Sequence, residues 1–257
     1  MPSFSPYDWN ESIQQRNEYI EDRLREGSPV IAVAYEDGIL MLTLRHNQRK
    51  LYEIYDKLMF GAIGNHSDIE QIRIGAIDVA HAEGFSRSAD DVSLQRLASF
   101  RLSPAIKKIY SDPFAQPVVL KGIFAELGKT ADKDILLVLS YDGEFTITPG
   151  YAVIGGSFGS EDKMSDHLKS ATADGAPSLG TAVNLALKAW AIGKQHAESL
   201  NRPNDDEDDT PPTPEEFLAE TLKTGLVIEA TVLERNVTRE SRYRVLRADE
   251  VKEFTTV

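Results

Sequence analysis

Residues 30–44 read VIAVAYEDGILMLTL, and this stretch decides the fold class. Two nearly continuous apolar runs, 30–35 and 39–44, flank Asp37-Gly38, a dipeptide that favours the tight turn of a β-hairpin. Runs this short have the length of strands rather than helices. Towards the C-terminus, residues 50–55 and 58–63 read as two more strands. Four strands in succession with no helix between them point to an antiparallel sheet. The period then changes. Residues 67–83 carry Ile69, Ile72, Ala76, Val79 and Ala80 at helical spacing, and 90–110 carry Val92, Leu94, Leu97 and Ala98 behind an acidic cap. Pro104 is expected to kink or split this second helix. Strands are expected over 118–127, 134–140, 144–148 and 151–154, with Asp142-Gly143 as a second hairpin signal. Helices follow over 160–172 and 178–198, then strands over 225–235 and 241–246, then a helical turn over 248–254. Strands in blocks disfavour a doubly wound parallel sheet. The expected class is α+β: a four-layer αββα sandwich of two antiparallel sheets with helix pairs outside.

Towards the N-terminus, residues 10–26 (NESIQQRNEYIEDRLRE) form a helical charge pattern capped by Asn10 and stopped by Gly27. Ile13, Ile20 and Leu24, with Tyr19 nearby, make a narrow apolar stripe. It must lie either on its own domain or on a neighbouring subunit. Ahead of it, Phe4, Tyr7 and Trp9 put aromatic rings on a segment with no expected element, and such clusters usually have a partner.

Composition narrows the classes. The 257 residues suffice for a real core. A net charge of −13 argues against nucleic-acid binding. Seven of the negative charges fall in residues 205–216, DDEDDTPPTPEE, a Pro-laced run read as a loop. Residues 1–8 read as no secretory leader, and no apolar run is long enough to span a membrane. With no cysteine, disulfides and thiol catalysis are excluded, and a reducing cytoplasm is the expected setting.

The sharpest chemical motif is Gly155-Gly156-Ser157-Phe158-Gly159, which matches G-x-S-x-G between a strand and a helix. Read as a nucleophile elbow, it would make Ser157 a nucleophile with His167 or His196 as base. The hairpin-linked strands before it are the wrong context, and a strand-to-helix turn capped by Ser157 or Ser160 is preferred. No Gly-Lys-Ser/Thr follows to make a phosphate loop. None of His46, His66, His81, His167 and His196 lies within ligand spacing of another, so no metal site or cofactor is expected. Asp90-Asp91 reads as acids at a helix N-terminus.

Several stretches resemble a known family. Residues 18–35, EYIEDRLREGSPVIAVAY, resemble the leading helix, basic-Gly-Ser turn and first strand of 20S proteasome α-type subunits. Residues 49–64, RKLYEIYDKLMFGAIG, resemble that family's Lys-Ile…Asp…Ala-Gly segment, and 68–83 its following helix, with Arg73 in place. Tyr141-Asp142-Gly143 and Gly155-Gly156 resemble its later hairpin and strand-to-helix turn. The likeness is to the bacterial type and covers nearly the whole chain.

The resemblance implies a single domain: a gate tail (1–9), a leading assembly helix (10–27), the N-terminal-nucleophile-hydrolase sandwich (28–199 and 222–257) and an acidic loop (200–221). It implies a non-catalytic subunit in a homo-heptameric ring. Expected partners are other α subunits, a catalytic β-subunit ring and an AAA+ ATPase activator, with unfolded proteins as substrates. The gate residues would be Phe4, Tyr7, Asp8 and Trp9. The ring contacts would be Ile13, Tyr19, Ile20 and Leu24, and Lys50 would receive the activator's C-terminal carboxylate. Catalytic relatives start at a threonine whose own amine is the base. Here the first threonine is Thr43, inside the second strand, Leu44 stands where a carboxylate is needed, and no supporting lysine is expected. Trp9 replaces the arginine of the archaeal Tyr-Asp-Arg tail. A stand-alone hydrolase using an N-terminal or Ser157 nucleophile is the alternative.

Overall fold

A computed structural model describes residues 6–173, 175–200, 211–239 and 241–255, with backbone only for 6–8. Helix α1 (Pro6–Arg25) leads into strands β1 (Val30–Tyr35), β2 (Gly38–Arg45), β3 (Leu51–Tyr55) and β4 (Leu58–Gly64), then helix α2 (His66–Ser86). Helices α3 (Leu94–Leu97) and α4 (Ser103–Tyr110) precede strands β5 (Leu120–Glu126), β6 (Ile135–Leu139), β7 (Phe145–Thr148) and β8 (Tyr151–Ile154). Helices α5 (Phe158–Ala171), α6 (Leu179–Ser199) and α7 (Pro214–Lys223), strands β9 (Val227–Glu234) and β10 (Tyr243–Val245), and helix α8 (Ala248–Phe254) complete it. The strands form two five-stranded sheets, β10-β9-β2-β1-β8 and β3-β4-β5-β6-β7. Every neighbouring pair is antiparallel.

The period-2 geometry of the strands explains why residues 30–44 are apolar almost throughout. Ile31, Val33, Leu40, Leu42 and Leu44 point at α5, α6 and α7, where they meet Met164, Leu168, Trp190 and Phe217. Val30, Ala32, Ile39 and Met41 point the other way, into the inter-sheet core with Met59, Ile123 and Leu136. A third core packs α2, α3 and α4 on the outer face of the second sheet around Phe60 and Phe124, whose rings stack 4.4 Å apart. This is the expected αββα sandwich.

Three local expectations change. The first hairpin turns at Glu36-Asp37, because Gly38 already pairs with Tyr35. Gly38 is demanded by close approach instead: a Cβ there would lie 1.9 Å from the carbonyl oxygen of Leu233 on β9. The helix expected over 90–110 is broken into a 3₁₀ turn (Ala89–Asp91), α3, a π turn (Ala98–Leu102) and α4, with Pro104 in the first turn of α4. There its missing N–H is harmless, and the π turn absorbs the register change.

The acidic loop expected over 200–221 is corrected in its second half. Thr213 and Glu216 form a reciprocal capping box, Pro214 sits in the first turn, and Phe217 and Leu218 are buried, so α7 begins at Pro214. Residues 201–210 lie outside the described residues.

Candidate functional site

Helix α1 starts at Pro6, not at Asn10, because proline's fixed φ and absent N–H suit a first helical turn. Tyr7, Asp8 and Trp9 therefore belong to a helix and not to the tail expected for them, while Phe4 lies outside the described residues. From Trp9 to Gln15 no residue is buried; the first buried one is Arg16, 8% exposed. Its guanidinium donates to four carbonyl oxygens, those of Ile109 (3.1 Å), Tyr110 (3.2 Å), Asp112 (2.8 Å) and Ala115 (2.9 Å). It thereby supplies a donor to the Tyr110 carbonyl at the end of α4 and a second donor to the Ile109 and Asp112 carbonyls, which also accept from the Asp112 and Ala115 N–H groups. The Tyr110 hydroxyl donates to Asn17 and the Tyr141 hydroxyl to Glu21.

The apolar stripe of α1 divides at Arg16. Ile20 and Leu24 are buried in the inter-sheet core of their own chain. They cannot be ring contacts, and the expectation for these two residues is corrected: the open end of the sandwich leaves apolar strand ends that α1 covers. Ile13 is half-buried, and Trp9 (38%) and Tyr19 (46%) are exposed. Trp9 and Ile13, four residues apart, continue the same face outside that core. Tyr19 lies elsewhere, under the Arg23 guanidinium and in a shallow groove of about 300 Å³ with Gly64, Asn65 and Val119.

Lys50 stands immediately before β3, at the mouth of the first sheet. Its backbone N–H donates to Glu229 Oε2 at 3.0 Å, and its ammonium Nζ reaches the Ser28 carbonyl oxygen at 3.4 Å. Glu229, on β9, is buried and also pairs with Arg45 at 3.0 Å. Ser28 precedes β1. Its hydroxyl donates to the Leu44 carbonyl (2.6 Å) and accepts from Trp190 Nε1 of α6 (2.9 Å), so both its roles are taken. The Thr43 hydroxyl donates to the Pro29 carbonyl. The structure thus puts a lysine beside the start of the first strand, where none was expected; the signal was Lys50 itself, one step before a strand that neighbours the sandwich mouth.

Burial pushes Lys50 down to about 8, helped by repulsion from Lys194 and opposed by Glu229. Burial likewise raises Glu229, against the Lys50 backbone N–H and Arg45. The sign of the stability effect follows. Below about pH 8 both folded and unfolded chains hold the Lys50 proton, and the full penalty of the buried charge applies. Between about 8 and 10.5 only the unfolded chain keeps it, so stability rises with pH across that window. Lys50→Met should therefore stabilise the fold at pH 7 by up to roughly 3 kcal/mol. Chemical denaturation at pH 7 checks this; a destabilised variant would mean that the ammonium supports the fold.

Ser157 is the N-cap of α5: its Oγ accepts from the Ser160 N–H and pairs with the Ser160 hydroxyl at 2.9 Å. His167 and His196 are both held below their ordinary range, burial being the main cause. The described hydrogen bonds of Ser157 go to Ser160 and to no histidine. Arg16, Glu229 and Lys194 escaped the sequence reading, since a lone arginine or glutamate in a charged helix or a strand carries no local signal of its distant partner.

No protein-family profile matches the chain. It is 32% identical over 196 residues to the proteasome subunit alpha of Nocardioides sp. (strain ATCC BAA-499 / JS614), spanning 76% of this chain and 74% of that relative. It is 30% identical over 190 residues to the proteasome subunit alpha of Saccharopolyspora erythraea, spanning 73% and 72%. To the same-named protein of Frankia alni it is 27% identical over 184 residues, spanning 71% and 74%.

Proposed function

The chain belongs to the proteasome α-subunit family, and from that premise we propose that it builds the outer, non-catalytic ring of a 20S particle. The ring would sit on a threonine-bearing β ring and pass unfolded proteins to it. The observation that carries this reading is the divided stripe of α1. One half is buried in the chain's own core, and the other half, with Trp9 exposed and Ile13 half-buried, lies outside that core. A repeated head-to-tail contact of that kind closes into a ring. With α1 fastened before it, Ser28 is an internal residue with an occupied hydroxyl, which supports a non-catalytic role. Phe4, Tyr7 and Asp8 would stand nearer the ring's axis and restrict access, with Trp9 serving the subunit contact instead, and Lys50 would receive the carboxylate of an ATPase activator. Among the described residues no helix is long and apolar enough to cross a membrane, and a cytoplasmic particle suits this reading.

The test is assembly. Trp9→Glu with Ile13→Glu should convert rings to monomers in analytical ultracentrifugation while the monomer stays folded, since completing the burial of two partly covered side chains contributes on the order of 1–3 kcal/mol per contact and a buried carboxylate there costs more. Rings that persist in the double variant would remove α1 from the interface.

A further inference from the structure

A polar cavity of about 670 Å³ lies at the end of the sheets opposite Lys50. Strand β3 separates the two places: Lys50 precedes Leu51 and Asp56 follows Tyr55, so they stand roughly 20 Å apart. The cavity is walled by the β3–β4 turn, the 3₁₀ turn at Ala89–Asp91, and the β5–β6 and β9–β10 connections. Two of its cations are already neutralised. Lys57 pairs with buried Glu126 at 3.1 Å, and Arg235 pairs with Asp134 at 2.7 Å. Arg242, Lys129 and Lys133 also line it and make no ion pair among the described residues. Arg242 is half-buried and held in place: its backbone N–H donates to the Asp56 carbonyl (2.7 Å), and its Nη1 donates to the carbonyls of Arg235 (2.6 Å) and Val237 (2.8 Å). Its Nε and Nη2 donors have no acceptor among the described residues. Lys129 and Lys133 are exposed at the rim. So are Asp56 and Asp90, whose backbone carbonyls are tied to Arg242 and Lys57 and whose carboxylates form no ion pair among the described residues.

We propose that this cavity binds a phosphorylated sugar, free or as part of a mononucleotide. Arg242, Lys129 and Lys133 hold the phosphate. A fixed guanidinium matches phosphate oxygens with its planar donors, and the two lysines add point charges on long stems. Asp56 and Asp90 accept hydrogen bonds from the sugar hydroxyls, as carboxylates do in ribose recognition. A wholly cationic cavity would suit a bare anion. Here two free carboxylates stand beside three free cations, so the matching ligand carries hydroxyl donors as well as negative charge. The volume lies within the range of small-molecule sites. None of the residues given to ring assembly or activator docking takes part, so this site is independent of those roles.

The experiment is isothermal titration calorimetry of the full chain with ribose 5-phosphate, with inorganic phosphate and ribose as controls. Saturable binding of ribose 5-phosphate, about tenfold tighter than either control, is expected. Lys129→Gln with Lys133→Gln changes only exposed side chains and should weaken that binding by about tenfold or more. Asp56→Ala with Asp90→Ala should weaken ribose 5-phosphate yet strengthen inorganic phosphate, a split that general loss of folding cannot produce. Adenosine 5′-monophosphate separates the two sources: tighter binding than ribose 5-phosphate assigns a mononucleotide, weaker binding a free sugar phosphate, and either supports the site. No binding of either phosphorylated sugar, an affinity no greater than that of inorganic phosphate, or native affinity in the two-lysine variant would overturn the proposal.

Discussion

On the docking role proposed for Lys50, particles in which every Lys50 is replaced by alanine are expected to lose stimulation by an ATPase activator. A charge-assisted hydrogen bond contributes roughly 1.5–3 kcal/mol, which is about tenfold to a hundredfold in affinity for each docked tail. Several tails on one ring act together, so the losses multiply, and avidity should fall by orders of magnitude. The fold should survive, because the contact that ties this segment to Glu229 comes from the Lys50 backbone N–H, which alanine keeps. Lys50→Arg should not rescue docking, since a planar guanidinium presents its donors in a different geometry from the ammonium that reaches the Ser28 carbonyl. The measurement is activator-dependent degradation of an unfolded protein, referred to peptide hydrolysis by the same particle without activator. Stimulation equal to that of the native particle would return Lys50 to an ordinary lysine.

The second large effect is expected at Arg16. Its four carbonyl contacts hold α1 against the end of α4 and the turn beyond it. Arg16→Ala removes four charge-assisted hydrogen bonds, takes from the partly covered Tyr110 and Ala115 carbonyl oxygens the donor Arg16 supplies, and should destabilise the protein by about 2–4 kcal/mol. For a chain of this size that corresponds to a fall of roughly 5–12 °C in thermal midpoint. Arg16→Lys should recover only part of the loss, because one ammonium cannot reach four acceptors spread over residues 109–115. An unchanged midpoint in Arg16→Ala would show that α1 is held by Ile20 and Leu24 alone. The same geometry limits truncation: cutting before Arg16 removes the free part of α1, whereas cutting at residue 27 also uncovers the inter-sheet core.

The sandwich was legible because its signals are local. Residues 30–44 carry strand length, a turn and apolar continuity within fifteen residues, and the block order of strands and helices excluded a parallel sheet. Where expectation failed, the deciding contact was distant in sequence. Gly38 looked like a turn residue and is set by Leu233. Ile20 and Leu24 looked available to a neighbour, and the sandwich mouth takes them. Residues 214–221 looked like loop because charge and proline dominate their composition, yet Phe217 and Leu218 are enough to seat a capped helix. The candidate site was legible only as Lys50. Its surroundings, Ser28, Trp190, Lys194 and Glu229, come from three elements or their edges and meet only through tertiary packing.

The central claim, that this chain is the ring-building and non-catalytic half of a two-component protease, is tested most directly by native mass spectrometry of the chain co-expressed with a threonine-bearing β subunit from the same genome. A single large particle containing both subunits in equal number is the expected result. A chain that stays monomeric and excludes the β subunit would contradict it.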